Sequence, residues 1–178
     1  MTYMKRISLL LLSSFIFAKA FSQTQHNTSL HLSGQFNKTT YDETIGNNPW
    51  GIGLGLQCFF NNKAKFKPII DFTADAYLED DKIYRINEDG SEKANIEGVI
   101  NLFGGASYNL NKIIYVSLVA GPSLIGGKTF AGIKPSFGFY FSGSQRLTGG
   151  ISYINVFNRT ATKKDFGTIC LSLGIRLF

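Results

Sequence analysis

Residues 50–60 read WGIGLGLQCFF and alternate between two kinds of residue. One set is large and mostly apolar: Trp50, Ile52, Leu54, Leu56, Cys58 and Phe60. The other set begins with Gly51, Gly53 and Gly55. Successive side chains of a β-strand point to opposite faces, so this stretch predicts a strand with one apolar face and one nearly bare face. Because glycine weakens strand pairing, we expect larger side chains of neighbouring strands, such as Tyr77 or Phe103, to fill the space above it.

The composition of the 178-residue chain favours a single domain of strands joined by turns. It contains 16 Phe, 8 Tyr and 19 Gly, without the Ala-, Glu- and Leu-rich signature of helices. The formal net charge is +6, but 15 basic residues stand against 12 acidic ones once Lys5, Arg6 and Lys19 are set aside. So small an excess argues against nucleic acid as a partner.

The N-terminal segment 1–22 predicts a cleaved signal peptide. It has two basic residues, an apolar run over 7–18 and the small-residue pattern Ala18-Lys19-Ala20. The apolar run is shorter than the roughly 20 residues that a membrane-spanning helix needs. We therefore expect an exported protein whose single domain covers residues 23–178.

The rest of the chain predicts about eight antiparallel strands in up-and-down order. They are expected near residues 28–37, 49–60, 67–78, 94–108, 113–122, 131–142, 146–157 and 166–178. The connections alternate between long ones, including SLIGGKTF at 123–130, and short turns rich in Asn, Ser and Gly. The pattern indicates an all-β meander with two unlike ends.

An apolar stripe recurs in every predicted strand, and three features place it on the outside of a membrane barrel. The opposite faces are small and weakly polar, which suits a narrow lumen. Most charges fall in the connections. Strands near 10 residues match a tilted membrane crossing, whereas strands of globular proteins are usually about five or six residues long. The expected fold is an antiparallel up-and-down transmembrane β-barrel.

In these features the chain resembles the small outer-membrane β-barrel proteins of Gram-negative bacteria, the OmpA/OmpX-type eight-stranded, porin-like barrels. The resemblance covers nearly all of the predicted mature chain. It includes the final strand FGTICLSLGIRLF, which ends in the aromatic Phe178 one residue out of phase with the apolar set. It implies an integral protein of the cell outer membrane, in contact with membrane lipid and lipopolysaccharide. It also implies recognition by the barrel-assembly machinery during biogenesis.

Catalytic and metal-binding signatures are weak in this sequence. Lipid A-modifying barrels resemble one another in using a His with a Ser and an acidic residue near the bilayer rim, and only His26 and His31 are present here. No HxxxH, CxxC or His/Asp cluster suggests a metal site, and the glycine pairs do not form a phosphate-binding loop. We expect no catalytic residue, no metal and no cofactor, with His31 as a structural residue.

Cys58 and Cys170 fall on predicted strands two and eight, which flank strand one. Two strand spacings of about 4.8 Å separate their backbones by nearly 10 Å, beyond the roughly 7 Å Cα limit for a disulfide. The register points Cys58 outward and Cys170 inward. We therefore predict two free thiols.

The register also predicts a charge network in the lumen. Its members are Asp71, Asp75, Glu97, Lys134, Arg146 and Arg176. Buried charges are costly without partners, so we expect these acids and bases to pair across the lumen, with Lys134 closest to the acids. Eight strands enclose an interior that side chains can fill, so the network predicts a plugged lumen without porin activity.

Surface contacts are expected in the long connections, because function on a rigid scaffold concentrates in loops. The contact candidates are Tyr84, Arg85, Arg159, Lys163 and Lys164. The mixed charges of 79–93 fit either a contact surface, a divalent-ion site or a solvated loop. The basic residues of the last long connection fit lipopolysaccharide phosphates or simple solvation.

The leading hypothesis is thus an outer-membrane barrel with a structural or surface-interaction role, a monomer without catalysis. A lipid A-modifying barrel enzyme and a soluble secreted β-barrel for an apolar ligand are the alternatives. The sequence names no specific protein partner.

Overall fold

The computed structural model describes residues 28–40, 49–60, 63–77, 98–142, 144–158 and 165–178. Eight strands account for most of them. The strands are β1 (Thr28–Thr39), β2 (Trp50–Phe60), β3 (Phe66–Tyr77), β4 (Gly98–Asn109), β5 (Ile114–Ile125), β6 (Lys128–Tyr140), β7 (Leu147–Val156) and β8 (Phe166–Arg176). The predicted signal peptide lies outside the described residues and stays a prediction. Within the described residues no helix is long and apolar enough to cross a membrane.

Each strand pairs antiparallel with the next, and β8 pairs back to β1, so the sheet closes into a barrel. The predicted fold class, an up-and-down barrel of eight strands, is confirmed. We call the end with connections 61–65, 110–113 and 141–146 the turn end. The opposite end, with connections 40–49, 78–97, 126–127 and 157–165, is the loop end. The first residues of β1 and the last residues of β8 lie at the turn end, where Leu177 N donates to Leu30 O.

Burial alternates along each strand, with the apolar set outside. Leu54 is 62% exposed and Leu173 is 63% exposed, whereas the lumen-facing Thr73 and Asn101 are fully buried. A globular core would show the reverse. An apolar outer face around a more polar interior is the pattern of a barrel surrounded by lipid.

The glycines of β2 make room for lumen side chains of the neighbouring strands. A Cβ at Gly51 would lie 2.7 Å from the Tyr77 ring, and one at Gly53 would overlap the Asp75 carboxylate. The expectation for Tyr77 is therefore confirmed. Phe103 lies instead over Gly132, where a Cβ would be 2.9 Å from its ring.

The predicted long connection at 123–130 is wrong. Only Gly126 and Gly127 separate β5 from β6, and Ile125 pairs with Lys128. Both glycines have positive φ, 55° and 75°, which suits a two-residue hairpin turn whose twist matches that of the strands. The residues on either side therefore extend β5 and β6. The connection between these two strands is the shortest one at the loop end.

Candidate functional site in the lumen

The centre of the lumen holds an ion pair between β3 and β6. Lys134 Nζ lies 3.0 Å from both carboxylate oxygens of Asp71. The side chains are 3% and 1% exposed, so the pair is shielded from solvent. Gln57 Nε2 donates a further hydrogen bond of 2.6 Å to Asp71 Oδ2. The carboxylate is thus held from β2 and β6 at once.

A second polar group lies nearer the loop end. Asn37 Nδ2 donates to Asp75 Oδ1 over 2.7 Å, and Asn101 Nδ2 donates to Thr73 Oγ1 over 2.9 Å. Asp75 Oδ2 is buried and has no hydrogen-bond partner among the described residues. These contacts tie β1 to β3 and β3 to β4 through side chains inside the barrel.

Four rings meet inside the turn end of the lumen. Phe59 contacts His31 edge-on at 5.2 Å and Tyr115 edge-on at 5.6 Å between ring centroids. Tyr140 contacts Tyr115 at 5.2 Å and His31 at 6.3 Å, which completes the circuit. All four side chains are buried, and their strands, β1, β2, β5 and β6, lie on different parts of the wall. This aromatic layer packs across the lumen.

An apolar cluster fills the loop end of the lumen. The Tyr77 and Phe166 rings meet edge-on with centroids 5.5 Å apart. Around them the buried side chains are Val99, Phe103, Ile125, Ile154 and Val156. The lumen therefore has apolar groups toward both ends, with the Asp71–Lys134 pair between them and the bases Lys67 and Arg176 at the turn end.

The predicted charge network divides into separate parts. Asp71 and Lys134 are brought together, while Asp75 binds Asn37. Arg176 is half-buried at the turn end, where its Nε donates to Phe178 O over 2.9 Å. Glu97 lies outside the described residues, as do the loop candidates Tyr84, Arg85, Arg159, Lys163 and Lys164.

The inward position predicted for Arg146 stays a prediction. This side chain is exposed and precedes β7, which begins at Leu147. Its backbone O accepts a 2.7 Å hydrogen bond from Arg176 N of β8.

Sequence reasoning missed Lys67, which is 2% exposed and faces the lumen from β3. It shares the parity of Asp71 and Asp75, so extending the same alternation to the start of β3 would have found it. The aromatic layer gave no comparable signal, because its residues come from four strands and their contact depends on the tilt and stagger of the barrel.

His31 has one side-chain hydrogen-bond contact among the described residues. Its Nε2 lies 3.3 Å from Ser29 Oγ, while Nδ1 is buried with no hydrogen-bond partner among the described residues. Arg176 of β8 is the pairing partner of His31 in the sheet. A Ser–His nucleophile normally needs a third group to orient the imidazole. Nor does the described part of the chain contain a group of three or more metal-ligating side chains.

Both cysteines are free, as predicted. Cys170 is buried in the lumen, and its Sγ donates to Gln35 Oε1 over 3.3 Å. Cys58 is half-exposed on β2 and pairs with Leu30 of β1, whereas Cys170 pairs with Asn37 of the same strand. The two thiols thus lie on either side of β1 and at different heights.

The base of the last long connection is held by Asp165. This half-buried carboxylate accepts 3.0 Å hydrogen bonds from Asn155 Nδ2 and from the backbone N of Asn158, whose φ is 51°. The two hydrogen bonds, that from Asn155 above all, lower the pKa of Asp165 because they favour its charged form. They join the two ends of the segment that carries Arg159, Lys163 and Lys164.

No protein-family model and no curated protein sequence matches the chain. Neisserial surface protein A (NspA) superposes with a TM-score of 0.58 at 15% identity, over 84% of this chain and 96% of that one. Ail, the attachment invasion locus protein of Yersinia pestis, gives 0.53 at 14% identity, over 84% and 97%. The fold is that of the small outer-membrane barrels. A de novo designed transmembrane β-barrel shares it, with a TM-score of 0.52 at 8% identity over 84% and 95% of the two chains.

Proposed function

We propose that this protein is an integral barrel of the outer membrane with a structural or surface-interaction role, a plugged lumen and no catalysis. The observation that carries the proposal is the set of side-chain contacts across the lumen. Lys134 and Asp71 bridge β6 and β3, and the aromatic layer packs between β1, β2, β5 and β6. These contacts support a plugged lumen, because the interior of an eight-stranded barrel is just wide enough for side chains to fill.

The outer surface supports the membrane location. Its apolar band ends in aromatic side chains at both levels where a bilayer has its interfaces, with Trp50 and Phe157 toward the loop end and Tyr108 and Phe141 toward the turn end. Trp50 stacks on Phe36 at 5.1 Å and lies under Lys38 Nζ at the same distance from the ring centroid. Such aromatic girdles with snorkelling lysines fit the lipid headgroup region.

The proposed contacts are with outer-membrane lipid and lipopolysaccharide, through the loop end. Arg159, Lys163 and Lys164 provide positive charge for phosphate or sulfate groups there, and Tyr84 and Arg85 belong to the longest connection. The Ail neighbour has been crystallised in complex with the heparin analogue sucrose octasulfate. We also propose recognition of the last strand by the barrel-assembly machinery, and a monomeric state.

The position of His31 in the lumen, without a carboxylate to orient its ring, supports the proposal that the protein is not an enzyme. His31 lies inside the turn end, away from the lipid-facing surface on which a lipid A-modifying residue would have to act. Release of acyl chains from lipopolysaccharide by the purified protein would contradict this part of the proposal.

Conductance tests the plugged lumen. The purified protein in planar bilayers is expected to give no stable single-channel steps, whereas Phe59→Ala with Tyr115→Ala removes two rings of the aromatic layer and is expected to raise the frequency of openings. Reproducible ohmic openings of the unaltered protein would contradict the plug, and Lys134→Ala should then change their ion selectivity.

Surface proteolysis of intact cells tests the location separately. Cleavage is expected within 78–97 and 157–165 and not within the turn-end connections. Recovery of the protein without detergent in the soluble fraction would contradict a membrane barrel.

A further inference from the structure

The charges of the chain are distributed unevenly between the two ends of the barrel. Six bases belong to the turn end: Lys63, Lys65, Lys67, Lys112, Arg146 and Arg176. The turn-end connections 61–65, 110–113 and 141–146 contain no Asp or Glu, and neither does the segment 1–27. Apart from Asp71 and Asp75, every acidic residue of the chain lies in a loop-end connection.

Two of the six bases point into the lumen beside His31. Arg176 is the direct pairing partner of His31 across the β1–β8 seam. Lys67 faces the lumen from β3, two inward positions before Asp71. His31, Arg176 and Lys67 therefore all lie on the lumen side of the wall toward the turn end.

Among the described residues, Lys67 has little negative charge near it, while Arg176 Nε donates to Phe178 O over 2.9 Å. The nearest inward carboxylate, Asp71, is already held by Lys134 and Gln57. Lys67 is 2% exposed, and no carboxylate of the described residues pairs with it. A buried ammonium without a counter-charge is costly, so an added negative charge would stabilise this arrangement.

Unused polar groups surround the same place. His31 Nδ1 is buried without a hydrogen-bond partner among the described residues. Ser107 Oγ, on the residue that pairs with Lys67, is likewise unpartnered. Such a combination of cations and hydrogen-bond donors suits the oxygens of a phosphate-type anion, which accept several charge-assisted hydrogen bonds.

We propose that the turn-end mouth of the lumen is a binding site for a phosphate-type oxyanion, held by Lys67, Arg176 and His31. The exposed bases Lys63, Lys65, Lys112 and Arg146 around the mouth raise the local anion concentration and direct the ligand inward. This site lies at the opposite end of the barrel from the proposed surface contacts and does not depend on them.

The test uses the full chain folded in neutral alkyl maltoside micelles. Sodium phosphate is titrated against sodium chloride at equal ionic strength, and the imidazole NMR signals and the thermal unfolding midpoint are recorded. We expect a saturable shift of the His31 signal and a rise in the midpoint with phosphate only. His26, the other histidine of the chain, provides the reference signal, and a His26→Gln variant assigns the two.

Lys67→Met is expected to raise the apparent dissociation constant for phosphate at least tenfold, and Arg176→Gln gives the second variant if Lys67→Met does not fold. Lys128→Met, which removes an exposed base at the loop end, is the matched control and should bind phosphate as the unaltered protein does. Equal responses to phosphate and chloride would overturn the site. So would binding that survives both Lys67→Met and Arg176→Gln, or that is weakened equally by Lys128→Met.

A second arm distinguishes a free anion from a lipid headgroup. The protein is placed in nanodiscs of phosphatidylcholine with or without phosphatidylglycerol, in a buffer that contains no inorganic phosphate. A His31 shift that appears with phosphatidylglycerol and is lost in Lys67→Met assigns the oxyanion to a headgroup. A shift that needs added inorganic phosphate assigns it to a free anion, and no shift under either condition would overturn the proposal.

Discussion

Lys134 and Asp71 are 63 positions apart in the chain, yet Lys134 Nζ lies 3.0 Å from each oxygen of the Asp71 carboxylate. Two strands, β4 and β5, separate them along the wall. The ion pair therefore spans the lumen and fixes the distance between non-adjacent strands, which backbone hydrogen bonds do not reach.

Breaking this pair on one side should destabilise the barrel. Lys134→Met leaves the Asp71 carboxylate buried beside Gln57 alone, so we expect a loss of about 3–5 kcal/mol in the free energy of unfolding. Urea unfolding of the folded protein in lipid vesicles measures it. The double variant Lys134→Met with Asp71→Asn should recover most of the loss, and Lys128→Met should change the free energy by less than about 0.5 kcal/mol. A single variant as stable as the unaltered protein would show that the pair contributes nothing.

The bare face of β2 should not tolerate even a methyl group. A Cβ at Gly53 would overlap the Asp75 carboxylate, so Gly53→Ala is expected to cost about 1–3 kcal/mol through overpacking. Gly34 on β1 has nothing within 4 Å of a Cβ, and Gly34→Ala is its matched control. The same urea measurement applies, and equal effects of the two substitutions would refute the crowding explanation.

The two thiols should react at different rates. Cys58 is half-exposed on the outer wall, whereas Cys170 is buried in the lumen against Gln35. An apolar maleimide is expected to label Cys58 in the folded protein and Cys170 only after unfolding. Mass spectrometry without reductant should then count two labels, and a quantitative disulfide would contradict the register of β2 and β8 on β1.

The base of the last long connection should open in acid. Because hydrogen bonds from Asn155 and Asn158 lower the pKa of Asp165, their stabilisation is present above the unfolded-state pKa and is lost as the pH falls through the lower folded-state value. The Asn158 amide NMR signal should therefore titrate with a midpoint below the usual Asp value. Asp165→Asn should abolish this titration, and a midpoint at or above the usual value would show that the hydrogen bonds do not favour the carboxylate.

Strand alternation was predictable because it has a local cause. Each strand has a period of two, so the outward Leu54 and the inward Gly53 could be assigned from neighbouring residues alone. The two-residue turn also had a local signal, since Gly126-Gly127 is a favoured hairpin pair. The prediction nevertheless assigned the residues on both sides of this pair to the connection.

Contacts across the lumen were less predictable. The inward parity of Asp71 and Lys134 could be assigned from the sequence, whereas the height at which each side chain lies depends on the tilt and stagger of all eight strands. For the same reason nothing local indicated that His31 and Tyr140 would meet.

The Gly126–Gly127 turn also bears on the order in which the wall assembles. It joins β5 and β6 through two residues, and these strands then pair along their length from Ile125–Lys128 to Ile114–Phe139. Closing so short a loop costs little chain entropy, whereas β1 and β8 must bring together Gln35 and Cys170 across 135 positions. We expect the β5–β6 hairpin to nucleate the sheet and the β1–β8 seam to close last.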